Sequence, residues 1–139
     1  MNREDPFSGK WELNPGKSQF DPNHRSSGAT MRWERTLEGY KMTAKGTVGD
    51  GRIVQEGTIF ILDGKDHPVP GAPGCIAIMS RSTPNSIDVQ SKNADGSFGR
   101  ARYAVSEDET TLTASVSGID AQRRPFQTIL VWDRLSLER

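Results

Sequence analysis

Apolar and polar residues alternate along most of this chain, which is the pattern of β-strands with one buried and one solvated face. In the segment 29–38, Met31, Trp33 and Leu37 share one parity, and the residues of the opposite parity are charged or hydroxylated. Turn-forming Gly, Asp, Asn and Pro residues recur at short intervals, and no stretch between them has a helical period. The sequence therefore predicts an all-β protein. We expect nine strands, at residues 7–13, 29–38, 40–48, 52–62, 75–82, 86–92, 97–105, 110–117 and 125–134.

The two ends of the chain both predict strands, one over 7–13 and the other over 125–134. If these strands pair, the sheet has no free edge between the termini and can enclose a pocket. Consecutive strands in hairpin order then give a single antiparallel up-and-down β-barrel of about 8–10 strands. A chain of 139 residues has the size of one domain, so we assign residues 1–139 to one barrel domain.

Many residues on the predicted inward face are small. They are Ala44, Gly46, Gly57, Ala77, Gly99, Ala101 and Ala114. A barrel lined by small side chains would keep an internal cavity, because close packing needs side-chain volume. Alternatively, these residues lie at barrel corners or beneath bulky neighbours such as Trp33, Phe60 and Trp132, and the interior is filled. Two long connections, 14–28 and 63–74, are expected at opposite ends of the barrel.

Charge and hydropathy exclude several classes of partner. Lys+Arg and Asp+Glu are balanced at 18 each, so no net field draws the chain to nucleic acid or to anionic lipid. No apolar run approaches the roughly 18 residues of a membrane helix, and residues 1–6 lack the apolar core of a signal peptide. We therefore expect no nucleic-acid or membrane partner and a cytoplasmic protein. A secreted or periplasmic protein whose leader has been removed would have the same features.

Residues that could carry metal or nucleophilic chemistry are few and scattered. His24 and His67 fall in the two long connections, at opposite ends of the predicted barrel, and match no recognised metal signature. Cys75 is the single cysteine, which rules out an intrachain disulfide, and its parity predicts a buried, inert thiol. We expect no metal, no cofactor and no catalytic residue.

Short motifs at both ends resemble those of a known superfamily. Gly9-Lys10-Trp11 is similar to the Gly-x-Trp that begins lipocalins and related calycin barrels, and Leu130-Val131-Trp132-Asp133-Arg134 resembles their closing strand. The resemblance implies a lipocalin-like barrel in which Arg134 packs over Trp11 and closes the base. The segments 7–18 and 63–69 resemble a group of bacterial lipocalin-like proteins of uncharacterised function.

The chain departs from fatty-acid-binding proteins in two places. The connection 14–28 is too rich in Pro and Gly for the helical lid of that family. Leu130 and Trp132 stand where the family carries an inward Arg-x-Tyr that holds a carboxylate. Binding of a fatty acid in that family's manner is therefore not expected.

The preferred functional hypothesis is non-covalent binding of a small, largely apolar molecule in the barrel cavity. Met31, Trp33, Met42 and Tyr103 are the predicted walls, and Arg35, which shares their parity, is the predicted polar anchor for an anionic group. Alternatively, Arg35 turns outward at a β-bulge or forms an ion pair near the rim.

Two further functional hypotheses use the same barrel differently. One is a cavity-based isomerase or cyclase, which needs an ionisable group in the pocket; Tyr103 and, by parity, Glu56 are the candidates. The other is a protein-interaction scaffold without a ligand, in which Phe20 and Phe98 meet a partner. In each case we expect a monomer or a weak homodimer.

Overall fold

The computed structural model describes residues 6–19, 28–47, 53–69 and 73–136. These ranges contain strands and turns but no helix, and hence none that could cross a membrane. The all-β prediction is confirmed. The strands are β1 (Gly9–Leu13), β2 (Gly28–Arg35), β3 (Gly39–Thr47), β4 (Ile53–Ile61), β5 (Asp66–Pro68), β6 (Ile76–Thr83), β7 (Ser86–Lys92), β8 (Phe98–Val105), β9 (Thr111–Ile119) and β10 (Pro125–Ser136).

The first and last strands pair, as predicted. β1 lies antiparallel to β10, with Trp11 opposite Arg134 and Leu13 opposite Trp132. β1 also pairs with β2, so the two ends of the chain meet in the middle of the sheet. The strand order is β4-β3-β2-β1-β10-β9-β8-β7-β6-β5, in which every pair of neighbours except β1 and β10 is consecutive along the chain. This is the expected up-and-down arrangement, curled into a barrel.

The borders of the sheet are β4 and β5. β4 comes close to β6, but no ladder among the described strands joins the two borders. We call the gap between β4 and β6 the seam. Side chains cross it: the Arg81 guanidinium on β6 donates to the Tyr40 hydroxyl on β3 at 2.9 Å. The β1–β10 ladder therefore joins the two halves of the barrel, whereas no backbone ladder among the described strands closes the gap between β4 and β6.

β5 is a short strand inside the predicted connection 63–74. Asp66, His67 and Pro68 pair with β6, and the Val69 amide donates to the carbonyl of Cys75 at 3.0 Å. A segment of three residues that includes a proline is too short to show the alternation that predicts a strand. Proline is tolerated here because β5 is a border strand with a free side.

The described part of the other connection, residues 14–19, follows the barrel wall. The Asn14 side chain donates to the Asp133 carboxylate at 2.9 Å, and Gln19 forms a β-bridge with Ile129. His24 and Phe20 lie outside the described residues.

One end of the barrel is closed by the segment before β1. The Phe7 and Trp11 side chains have no exposed surface, and the Trp11 indole donates to the carbonyl of Phe7 at 3.0 Å. The Arg134 guanidinium lies 4.1 Å from the centre of the Trp11 ring. It donates to the carbonyls of Ser8 at 2.8 Å and of Glu109 at 2.6 Å, and also to that of Pro6. This end, the closed end below, is sealed by aromatic rings and one guanidinium.

Candidate functional site

The inward face of the barrel begins, above the closed end, with a layer of aromatic side chains. We call Phe7, Trp33, Tyr40, Phe60 and Tyr103 the aromatic layer. Trp33 stacks on Phe60 with 4.8 Å between ring centres and meets Tyr103 edge-on at 5.5 Å. Phe7 lies 5.1 Å from Trp33 and 5.4 Å from Tyr40, measured between ring centres. The layer joins β2, β3 and β4 to β8 across the interior, so it bridges the two sides of the seam.

The alternation of each strand explains how these rings meet. In the β2–β3 ladder Trp33 lies opposite Met42 and Arg35 opposite Tyr40, while in the β3–β4 ladder Tyr40 lies opposite Phe60. Directly opposite residues share a face, so one register gives all of these residues inward parity.

Beyond the aromatic layer, inward residues keep exposed surface. Met31 and Trp33 are 4% and 0% exposed, whereas residues further along the same face are half-buried. These half-buried inward residues, called the lumen wall below, are Ala29, Met42, Ala44, Met79, Val89, Ala101, Val116 and Leu130. Inward residues of a filled barrel would be buried like those of the aromatic layer. The interior is therefore packed at the closed end and accessible above it.

Tyr103 lies at the boundary between these two regions. Its ring packs edge-on against Trp33 and Phe60, yet the residue as a whole is half-buried. Burial raises the pKa of the Tyr103 phenol above its ordinary value, because the charged form would lose its hydration. The hydroxyl thus keeps its proton at neutral pH and can donate a hydrogen bond.

Arg35 is exposed and lies at the end of β2. Its guanidinium carbon is 5.9 Å from the centre of the Tyr40 ring, on the side of the closed end. The alternation placed Arg35 on the inward parity, but the aromatic layer seals the interior before this position is reached. The side chain expected to anchor a ligand therefore lies outside the lumen.

Arg81 belongs to the closed end as well. It donates to the Tyr40 hydroxyl at 2.9 Å and to the carbonyl of Pro84 at 2.8 Å, and its guanidinium faces the rings of Tyr40 and Phe7. The sequence analysis did not place Arg81 at the closed end. It also did not identify the role of Phe7, because this residue precedes β1 and its parity has no ladder to fix it.

The lumen wall also contains residues that the sequence did not single out. Met79 on β6 and Val89 on β7 are cross-strand partners and pack against the buried core. The alternation of 75–82 could have identified Met79 as an inward residue, because Ala77 and Met79 share the parity of Cys75. Cys75 itself is half-buried rather than buried, because it precedes β6 next to a turn.

The remaining titratable candidates form no site. His67 lies on β5 and contacts the Asp63 carboxylate at 2.9 Å on the surface. The pKa of Asp63 is lowered, first by a hydrogen bond from the Lys65 amide and then by His67. Within the described ranges no group of three or more His, Cys, Asp or Glu could hold a metal ion. The Glu56 side chain lies outside the described residues.

Comparison with known proteins identifies the fold. No protein-family model matches the sequence, and no curated protein matches it significantly. Among solved structures, the fluorescent protein UnaG is similar, with a TM-score of 0.62 and 14% identity over 93% of this chain and 97% of UnaG. As-p18, an extracellular fatty acid binding protein, is similar with a TM-score of 0.61 and 13% identity, over 97% of this chain and 100% of As-p18. The chain has the fold of these β-barrels.

Proposed function

We propose that this protein binds a small, largely apolar molecule non-covalently inside its barrel. The observation that carries the proposal is the contrast along the inward face, from a sealed aromatic layer to a half-buried lumen wall. A concave apolar surface with a few polar groups is the usual form of a small-molecule site. In the proposed site Met31 and Trp33 form the floor, and Met42 and Tyr103 form part of the wall. Arg35 is not part of this site.

The similar structures support the proposal at the level of the fold. As-p18 is described as a fatty acid binding protein, and the present chain shares its architecture over nearly the whole length. At 13% identity the similarity concerns the barrel and not the side chains that choose a ligand.

Among the described side chains, the chemistry of Tyr103 favours binding over a cavity-based isomerase or cyclase. Acid–base catalysis near neutral pH needs a group that exchanges a proton there. The pKa of Tyr103 moves away from neutrality, because burial disfavours the phenolate. A hydrogen-bonding role suits this residue better than a catalytic one.

We further propose that the protein acts as a monomer or weak homodimer in the cytoplasm, or in a secreted or periplasmic form. We also propose kinship with the bacterial lipocalin-like group, which the segments 7–18 and 63–69 resemble. Among the described strands, β4 and β5 are the borders of the sheet, because β1 and β10 are paired with each other. Few free strand edges leave little opportunity for pairing with a second copy, which favours a monomer.

The proposal is tested by titration with the neutral apolar fluorophore N-phenyl-1-naphthylamine. We expect an enhanced, blue-shifted emission that saturates at one molecule per chain. Ala44→Trp fills the lumen from β3 and should abolish the enhancement, while Thr43→Trp, its outward neighbour, should leave it unchanged. Ala101→Trp repeats the filling from β8, in case Ala44→Trp does not fold. A wild-type protein without saturable binding, or equal binding by the inward and outward variants, would refute the proposal.

A further inference from the structure

The arginines of inward parity that the structure describes all lie at the closed end. Arg134 lies over Trp11 and donates to backbone carbonyls. Arg81 is held by the Tyr40 hydroxyl and a backbone carbonyl, and Arg35 is exposed beyond the aromatic layer. The lumen wall as described contains no lysine or arginine. A ligand in the lumen would therefore meet no described cation.

The described polar side chains that face the lumen are uncharged, apart from His67, which has inward parity on the border strand β5 and pairs with Asp63. Glu56 also has inward parity, and its side chain lies outside the described residues. Thr58 lies opposite Met42, and Ser91 lies opposite Ala77, so both have inward parity, and both are half-buried. Tyr103 is the largest of these groups and itself belongs to the aromatic layer.

The Tyr103 hydroxyl is available to a ligand. It makes no hydrogen bond with the described residues, in contrast to the Tyr40 hydroxyl, which accepts one from Arg81. No described side-chain nitrogen or oxygen is both fully buried and unpartnered. The unpartnered Tyr103 hydroxyl must therefore reach accessible space. Since it lies on the inward face of β8, that space is the lumen.

We infer that the lumen selects uncharged molecules that carry a hydrogen-bond acceptor, such as a carbonyl or an ester, and that the Tyr103 hydroxyl donates to this acceptor. The inference rests on the proposed ligand binding and makes it specific. A carboxylate entering the lumen would lose its hydration without gaining a Lys or Arg partner among the described residues, which disfavours the charged form. A neutral acceptor loses less hydration and gains the phenol hydrogen bond.

The test compares three probes with one fluorophore: 1-butylpyrene, methyl 1-pyrenebutanoate and 1-pyrenebutanoate. Binding at neutral pH is measured by quenching of tryptophan fluorescence. We expect the ester to bind at least about tenfold more tightly than the carboxylate, because only the carboxylate buries an unpaired charge. Tyr103→Phe should weaken ester binding about three- to tenfold and leave butylpyrene unchanged. Tyr40→Phe removes a phenol hydroxyl at the closed end and should not change the ratio between ester and butylpyrene.

The outcomes separate this inference from the proposed function. Binding of none of the probes would refute the lumen as a ligand site. If the hydrocarbon and the carboxylate bind as tightly as the ester, ligand binding stands and the selectivity inferred here is wrong. If Tyr103→Phe weakens ester and butylpyrene equally, Tyr103 acts by packing and not as a donor.

Discussion

Replacing Arg134 by methionine tests whether a single guanidinium closes the base of the barrel. Methionine keeps an apolar chain over the Trp11 ring but removes every donor. The carbonyls of Ser8 and Glu109 would lose charge-assisted hydrogen bonds of 2.8 Å and 2.6 Å, and that of Pro6 would lose a third. These bonds connect β10 to the segment before β1 and to the β8–β9 turn.

The expected loss of unfolding free energy follows from the half-buried position of Arg134. A hydrogen bond to a charged group contributes about 1.5–3 kcal/mol, and a partly exposed cation–π contact about 1 kcal/mol. The hydrogen-bond and cation–π contributions are not additive, and water can reach some of the freed carbonyls. We therefore expect a loss of about 3 kcal/mol in the free energy of unfolding. For a domain of this size that corresponds to a fall in Tm of roughly 10 °C.

The assay is urea and thermal denaturation, followed by tryptophan fluorescence and far-ultraviolet circular dichroism. Arg102→Met is the matched control: Arg102 pairs with Asp88 at 2.8 Å on the outer face, where its side chain is 61% exposed. An exposed pair of this kind contributes little to stability, because solvent screens it. Equal losses in the two variants would refute the idea that Arg134 closes the barrel.

The remaining predictions concern the sheet and its acid stability. Gly118→Ala should destabilise the protein by about 2 kcal/mol, because its Cβ would lie 2.1 Å from the carbonyl oxygen of Phe98. Gly57→Ala, whose Cβ would meet nothing closer than 3.9 Å, should be neutral or stabilising; urea midpoints check both. The hydrogen bond from Arg102 lowers the pKa of Asp88, so its contribution to stability is present above the ordinary value of 3.8 and is lost as pH falls through the lowered value. Asp88→Asn should therefore flatten the acid limb of the urea midpoint plotted against pH, and an unchanged limb would contradict this assignment.

The alternation in the sequence was enough to predict the architecture, because a period of two fixes which residues face inward. The pairing of the termini was also predictable, because the residues of 7–13 and 125–134 identify both terminal segments as strands that can lie side by side in one sheet. β5 was not predictable in this way, because its pairing depends on the neighbouring β6 rather than on its own residues.

The sequence predicted which residues have inward parity, but not how deep along the barrel each of them lies. Parity correctly grouped Trp33, Tyr103 and Arg35 on one face. It could not say that Trp33 seals the interior and that Arg35 lies beyond that seal, because depth depends on how the strands are staggered around the barrel. The stagger is set by long-range ladders such as β1–β10, which a single strand's pattern does not encode.

The seam between β4 and β6 shows why the aromatic layer lies where it does. Backbone hydrogen bonds hold every other pair of neighbouring strands, so the seam needs stabilisation from side chains. The contacts of Tyr103 with Trp33 and Phe60, and of Arg81 with Tyr40, join its two sides near the closed end. Edge-on aromatic contacts contribute about 0.5–1.5 kcal/mol each beyond their buried area, enough together to replace part of a ladder. Trp33 thus helps to hold the barrel together and also forms part of the floor of the proposed site, so its substitution should lower stability and ligand affinity together.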